Sequence, residues 1–228
     1  PGVVAPGRQP GPVGGLIEKV TGEPLAKTLA EKITQPLQLD GCYIGVPSSE
    51  LGRCVEIIGA ARYKAEKSKP SKFAIWQQQL TEKALRLTGF EPNTAAEALI
   101  PKGMSRFYLD EAESLQACIP GAGGVFTARS LAKIYAALAN HGEIDGVRLL
   151  SEKTVRELVK VQNRNRGDVV PMAMHWRLGY HRVFTTWPKT PYAFGHFGYG
   201  GSGAWADPSR HLAVGFIVNT GSGSPFAD

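Results

Sequence analysis

Apolar residues recur at helical spacing over the first two thirds of the chain and alternate in strand fashion over the last third. Leu16, Ile17 and Val20 share one side of a segment starting at Val13, and Gly22 stands where a C-cap glycine ends a helix. Leu25, Leu29 and Ile33 repeat in the same way before Pro36, which predicts a helix over 24–37. Residues 43–47 read as a short extended piece. Ile75, Leu80, Ala84 and Leu87 predict a helix over 73–87 that stops at Gly89. Leu131, Ile134, Tyr135 and Leu138 define an inward face over 127–140, with Thr127 as N-cap. Gly142 to Gly146 is a turn, 147–150 is extended, and Ser151 caps a helix reaching about Val161.

From Trp176 the pattern changes to strands, predicted over 176–183, 192–196, 202–206 and 211–218. Asp207-Pro208-Ser209-Arg210 between the last two has Pro at the second position of a type I turn. The chain therefore divides into an irregular segment 1–12, holding four Pro and three Gly, a mainly helical region 13–146, and a β-rich region 147–228. Together they predict one α+β domain.

Composition excludes several classes. Of 228 residues, 43% are hydrophobic and 20% charged, which suits a globular core. No apolar run approaches the ~18 residues that span a membrane. The chain begins at Pro1 and opens without the basic and apolar regions of a signal peptide, so it reads as a fragment or processed product. Cys42, Cys54 and Cys118, odd in number and without Cys-x-x-Cys, argue against a disulfide scaffold or zinc ribbon and lean towards a reducing, cytoplasmic setting. Net charge is +6, but the basic stretch Arg62, Lys64, Lys67, Lys69 and Lys72 lacks interleaved aromatics, so it reads as a solvated loop with no nucleic-acid partner. His141, His175, His181, His196 and His211 show no His-x-x-x-His spacing, which predicts neither a metal nor any other cofactor.

Three serine motifs are candidates. Ser130-Leu131-Ala132-Lys133 fits the Ser-x-x-Lys of acyl-serine enzymes, but twelve serines and thirteen lysines among 228 residues give about 0.7 chance matches. Ser130 also sits at the start of an amphipathic helix with Lys133 on its polar side, so the pair reads as a decoy. Gly200-Gly201-Ser202-Gly203-Ala204 ends in Ala and leads into a strand, where a nucleophile elbow would enter a helix. Lys189-Thr190-Pro191 has Pro where a Lys-Thr-Gly strand needs Gly. His196 is different. It precedes Phe197-Gly198 and a run of glycines, a pattern that places a hydrogen-bonding ring and a bare backbone edge side by side.

Several blocks in order resemble the serine β-lactamase-like hydrolases, which include class C β-lactamases, penicillin-binding relatives and carboxylesterases. They are Gly15-Leu16-Ile17-Glu18-Lys19-Val20-Thr21-Gly22, Tyr43-Ile44-Gly45-Val46-Pro47, Gly123-Gly124-Val125-Phe126-Thr127, Gly142 to Ser151, and Gly195-His196-Phe197-Gly198 with Ala206-Asp207-Pro208. The resemblance implies the C-terminal portion of a β-lactamase/transpeptidase-like fold. It implies acyl transfer from a small ester or β-lactam through a serine acyl-enzyme, without a cofactor. On its terms His196 is an electrostatic or hydrogen-bonding partner and the backbone N–H of Tyr199 is an oxyanion donor. Phe197 and Gly198 border the substrate.

The family's Ser-x-x-Lys and Tyr motifs have no counterpart here. There is no tyrosine before Tyr43, and Ser130 falls in a different block. The sequence thus predicts a fragment of an active hydrolase, inactive alone, with a catalytically dead interaction module as the alternative. An uncovered sheet edge would then allow self-association.

Overall fold

The computed structural model describes residues 11–58, 76, 77, 79, 80, 83, 86, 87, 111–165, 167, 172–185, 189–198 and 201–219. The element that organises the described core is the helix over Ala128–Ala139. Its N-cap is Thr127, whose hydroxyl accepts from the Ser130 N–H at 3.2 Å. A four-stranded antiparallel sheet packs on it, chiefly through its last two strands.

In chain order the elements begin with α1 (Gly11–Thr21), α2 (Leu25–Leu29), β1 (Cys42–Ile44), α3 (Ala112–Gln116), β2 (Gly124–Phe126) and α4 (Ala128–Ala139). They continue with β3 (Glu143–Ile144), β4 (Val147–Arg148), α5 (Glu152–Val159), β5 (His181–Arg182), β6 (Phe194–Phe197), β7 (Gly203–Asp207) and β8 (Leu212–Phe216). The main sheet has the order β5-β6-β7-β8, β1 pairs β2, and β3 pairs β4.

Register explains the core. Phe194 pairs Ala206, and His196 pairs Ala204, so these four share one side of the sheet. Phe194, Ala204 and Ala206 are buried there with Tyr135, Leu138 and Ala139 of α4. The small residues let the helix sit close: a Cβ on Gly215 would lie 2.6 Å from the Ala128 carbonyl. The opposite side carries Leu212, Val214, Phe216 and Phe197, all exposed. The apolar residues Val13, Leu16 and Val20 of α1 are exposed too.

Most expected elements are present, with shifted ends. The 24–37 helix changes geometry half-way: after Leu29 it continues as a π-type turn over Ala30–Thr34, with Gln35 N–H bonded to Ala30 O at 2.8 Å. Pro36 has no N–H to give to Lys32, so the regular ladder cannot continue there. Of the 73–87 helix, the described residues are helical, but Leu80 and Leu87 are exposed rather than inward-facing, and Ile75 and Ala84 lie outside the described residues. The Gly142–Gly146 turn closes a small hairpin, β3–β4.

The 176–183 strand is reduced to His181–Arg182. Trp176 makes one bridge to Asn163, and the chain then turns, with Arg177 N–H bonded to Tyr180 O at 2.8 Å and Gly179 at φ +82°. That turn, with Gly179 in the left-handed region, breaks the extended run, so the backbone does not carry the alternation of side chains through. The irregular segment 1–12 and the basic stretch 62–72 lie outside the described residues, apart from Gly11 and Pro12. Among the described residues no helix is long and apolar enough to cross a membrane.

Candidate active site

The β6–β7 hairpin carries the candidate residues. Gly195 is forced by packing: a Cβ there would stand 2.1 Å from the Ala204 carbonyl oxygen and 2.6 Å from Trp205 Cβ. Gly198 is not. Its nearest neighbour to an added Cβ is Ser202 O at 3.5 Å, an ordinary contact, so the backbone there is open on that side. The turn closes through Gly198 N–H to Ser202 O at 2.8 Å. Ser202 is used structurally, its hydroxyl accepting from Val218 N–H at 3.0 Å. Tyr199, the expected oxyanion donor, lies outside the described residues.

His196 is exposed at this end of the sheet, next to exposed Phe197. Its ring meets that of His181 edge-on, with centroids 5.3 Å apart. His181 is buried, 3% exposed, and its Nδ1 lies 2.8 Å from the Arg182 carbonyl oxygen. A carbonyl only accepts, so Nδ1 carries the proton and Nε2 is the bare nitrogen of a neutral ring. Around His181 stand Trp176 at 5.7 Å, Phe184 at 6.0 Å and Phe197 at 6.0 Å between ring centroids. Burial holds the His181 pKa below its ordinary value. His196 and Arg177 push it the same way, against the opposing hydrogen bond to Arg182 O. Loss of solvation lowers His196 as well. Both rings are therefore neutral at pH 7, and His196 is a hydrogen-bonding group without a fixed charge.

The Ser130–Lys133 pair is not assembled. Ser130 is buried and its hydroxyl donates to Asp40 O at 2.5 Å. Lys133 turns away to pair with Asp145 at 2.8 Å. Asp40 and Thr127 fix this corner, with Thr127 Oγ1 also donating to Asp40 O at 2.9 Å. The arrangement joins the start of α4 to the turn before β1, and no proton path links the serine to the lysine. Among the described residues no group of three or more His, Cys, Asp or Glu could hold a metal.

The sequence did not single out His181. It lies fifteen residues before His196, a spacing that no motif records. The pairing of His181 with Gly195 sets it beside the residue before His196, and the two rings meet at the edge of the strand.

The Beta-lactamase family model matches residues 12–228, nearly the whole chain. The chain belongs to the beta-lactamase family. This family member is 35% identical over 213 residues to the "Esterase/beta-lactamase LipL" of Mycobacterium tuberculosis, an alignment covering 90% of this chain and 45% of that protein. Its fold is similar to the crystal structure of a novel penicillin-binding protein homolog from Caulobacter crescentus, with a TM-score of 0.69 and 28% identity over 93% of this chain and 52% of that one. It is also similar to a family VIII carboxylesterase, with a TM-score of 0.64 and 27% identity over 94% of this chain and 52% of that one. The beta-lactamase-family chain thus spans about half the length of these relatives, and its mixed helix and antiparallel-sheet fold is theirs.

Proposed function

We propose that this chain supplies the His-x-Gly wall of a serine acyl-hydrolase site that acts on esters, and that residues 1–228 hold neither the nucleophile nor its base. One observation carries the reading: a neutral, exposed His196 stands two residues from Gly198, where an added Cβ would meet nothing closer than 3.5 Å. An acyl group lying along the strand there would meet backbone N–H groups and an uncharged imidazole. In an acyl-serine reaction the hydroxyl attacks the carbonyl carbon, a base takes its proton, and the carbonyl oxygen becomes an oxyanion that N–H donors hold. On this reading Tyr199 N–H is such a donor, Phe197 and Gly198 border the acyl group, and His196 hydrogen-bonds substrate. The names of the relatives, an esterase/beta-lactamase and a carboxylesterase, support an ester as substrate.

The burial of Ser130 and the diversion of Lys133 to Asp145 support the second half of the proposal. Its test is labelling of the purified chain with a fluorophosphonate, followed by peptide mapping. No stoichiometric adduct is expected. An adduct on any serine of residues 1–228, Ser130 above all, would overturn it.

A further inference from the structure

Two histidines far apart in the chain meet where α4 ends. His141 follows Asn140, the C-cap of α4, and sits in the left-handed region at φ +56°. Gly142 N–H bonds back to Ala137 O at 2.7 Å, a helix closure that normally places glycine at the position His141 holds. His211 ends the β7–β8 turn. Arg210 N–H bonds to Asp207 O at 3.1 Å, and His211 then takes φ +50° before β8 begins at Leu212. A left-handed residue closing a tight turn is again the place for glycine. Both positions therefore keep a histidine side chain where a bare backbone would fold more easily, and it is these two side chains that touch.

The ring centroids lie 5.6 Å apart, with the planes at 81°. His211 Nδ1 stands 3.2 Å from Asn140 Oδ1. An amide oxygen only accepts, so Nδ1 carries the proton and Nε2 keeps its lone pair. A bond of this kind, from one ring nitrogen to an oxygen, is what orients an imidazole whose other nitrogen binds a metal. The backbone beneath both rings is fixed. Next to His141, a Cβ on Gly142 would lie 2.2 Å from Leu150 O. Before His211, buried Asp207 holds the turn through Ser209 N–H at 3.0 Å. The neighbouring cations are already neutralised. Arg148, which donates to His141 O at 3.4 Å, pairs with Glu143, and Arg210 pairs with Asp207. Three carboxylates, those of Glu143, Asp145 and Glu152, line the open pocket that His141 also borders.

We propose that His141 and His211 form a two-imidazole site for a divalent transition-metal ion, at the opposite end of β7 from the hairpin that carries His196. Neutral imidazole nitrogen suits nickel, copper and zinc, whereas magnesium and calcium select oxygen. Two protein ligands leave the other coordination positions to water, which agrees with the lack of any three-residue metal group among the described residues. The ion would tie the C-terminal end of α4 to the turn that enters β8. Binding to the folded chain alone stabilises it. The proposal does not depend on the ester-hydrolase reading.

The test is titration of the purified chain with Ni²⁺, followed by calorimetry and by NMR of the histidine rings, with Mg²⁺ as comparison. Ni²⁺ is expected to saturate one site, to broaden the ring signals of His141 and His211 before those of His175, His181 and His196, and to raise the urea midpoint. Mg²⁺ should do none of these. H141G and H211G place glycine where the backbone favours it, so both are expected to fold. Either one should remove the saturable binding, and the double variant should lose no more, because one imidazole cannot chelate. N140A keeps both rings, removes the acceptor of His211 Nδ1–H, and should weaken Ni²⁺ by about tenfold. Broadening that begins at another histidine would overturn the site. So would loss of half the bound metal in each single variant at unchanged affinity, unchanged affinity in N140A, or an equal response to Mg²⁺.

Discussion

The rings of His181 and His196 meet edge-on with centroids 5.3 Å apart, one buried and anchored through Nδ1 to the Arg182 carbonyl, the other exposed at the strand edge. Both pKa values lie below the ordinary 6.5. An imidazole with a depressed folded-state pKa is protonated more readily in the unfolded chain. Stability from this source is therefore complete above about 6.5 and falls as pH drops through the folded-state values. His181→Phe keeps a ring and removes the proton site. Urea midpoints at pH 7 and pH 5 should show a smaller acid loss in this variant than in the parent. An equal loss in both would contradict the assignment of His181 as a neutral, buried base.

Two glycines of one strand should behave oppositely. Gly195→Ala places a methyl 2.1 Å from the Ala204 carbonyl across the β6–β7 pair, and separation of the strands should cost about 3 kcal/mol. Gly198→Ala meets nothing closer than 3.5 Å and should stay within about 0.5 kcal/mol of the parent. Urea unfolding measures both. A large loss in Gly198→Ala would show that this strand edge is not open.

Ser130→Ala removes the hydroxyl bonded to Asp40 O and leaves that carbonyl with Thr127 alone. The expected loss is about 1–2 kcal/mol in unfolding free energy. Reactivity towards a fluorophosphonate should not change. A variant as stable as the parent but altered in labelling would assign Ser130 a chemical role.

Asp207 is fully buried at the end of β7 and accepts from Ser209 N–H at 3.0 Å, Ser209 Oγ–H at 2.6 Å and the Arg210 guanidinium. It caps the turn into β8 and satisfies a charge at its edge. Asp207→Ala should cost about 3 kcal/mol, because the Ser209 donors and the Arg210 cation lose their common acceptor. Recovery of most of this loss in the Asp207→Ala, Arg210→Ala double variant would localise the cost to the unpaired cation. Additive losses would place it in the turn.

Much of this was legible in the residues themselves. Thr127 and Ser151 cap helices where a hydroxyl followed by an amphipathic run predicts it, because capping is settled within three residues. The β6–β7–β8 meander follows from alternation and from Asp207-Pro208, both local signals. The family followed from blocks that keep their order from Gly15 to Asp207. The Ser130–Lys133 match, by contrast, counted residue types in a line, and the fold turned the two side chains to different partners, Asp40 and Asp145.

Local chemistry could therefore determine where helices begin, where strands alternate and which strand carries His196. Only the tertiary structure decided what surrounds it. His181 reaches His196 through antiparallel pairing across an interval of fifteen residues. The segments around Asn163, Met174–Trp176 and Arg182 are joined by main-chain bonds at Trp176 and Met174. The shortening of the 176–183 strand has the same origin. Its residues have strand-like alternation, but the buried Arg177 is tied to carbonyls of α5, of the loop before β6 and of His175, and the chain turns at Gly179. Interactions between residues far apart in sequence are set by register and burial, which no spacing along a chain encodes.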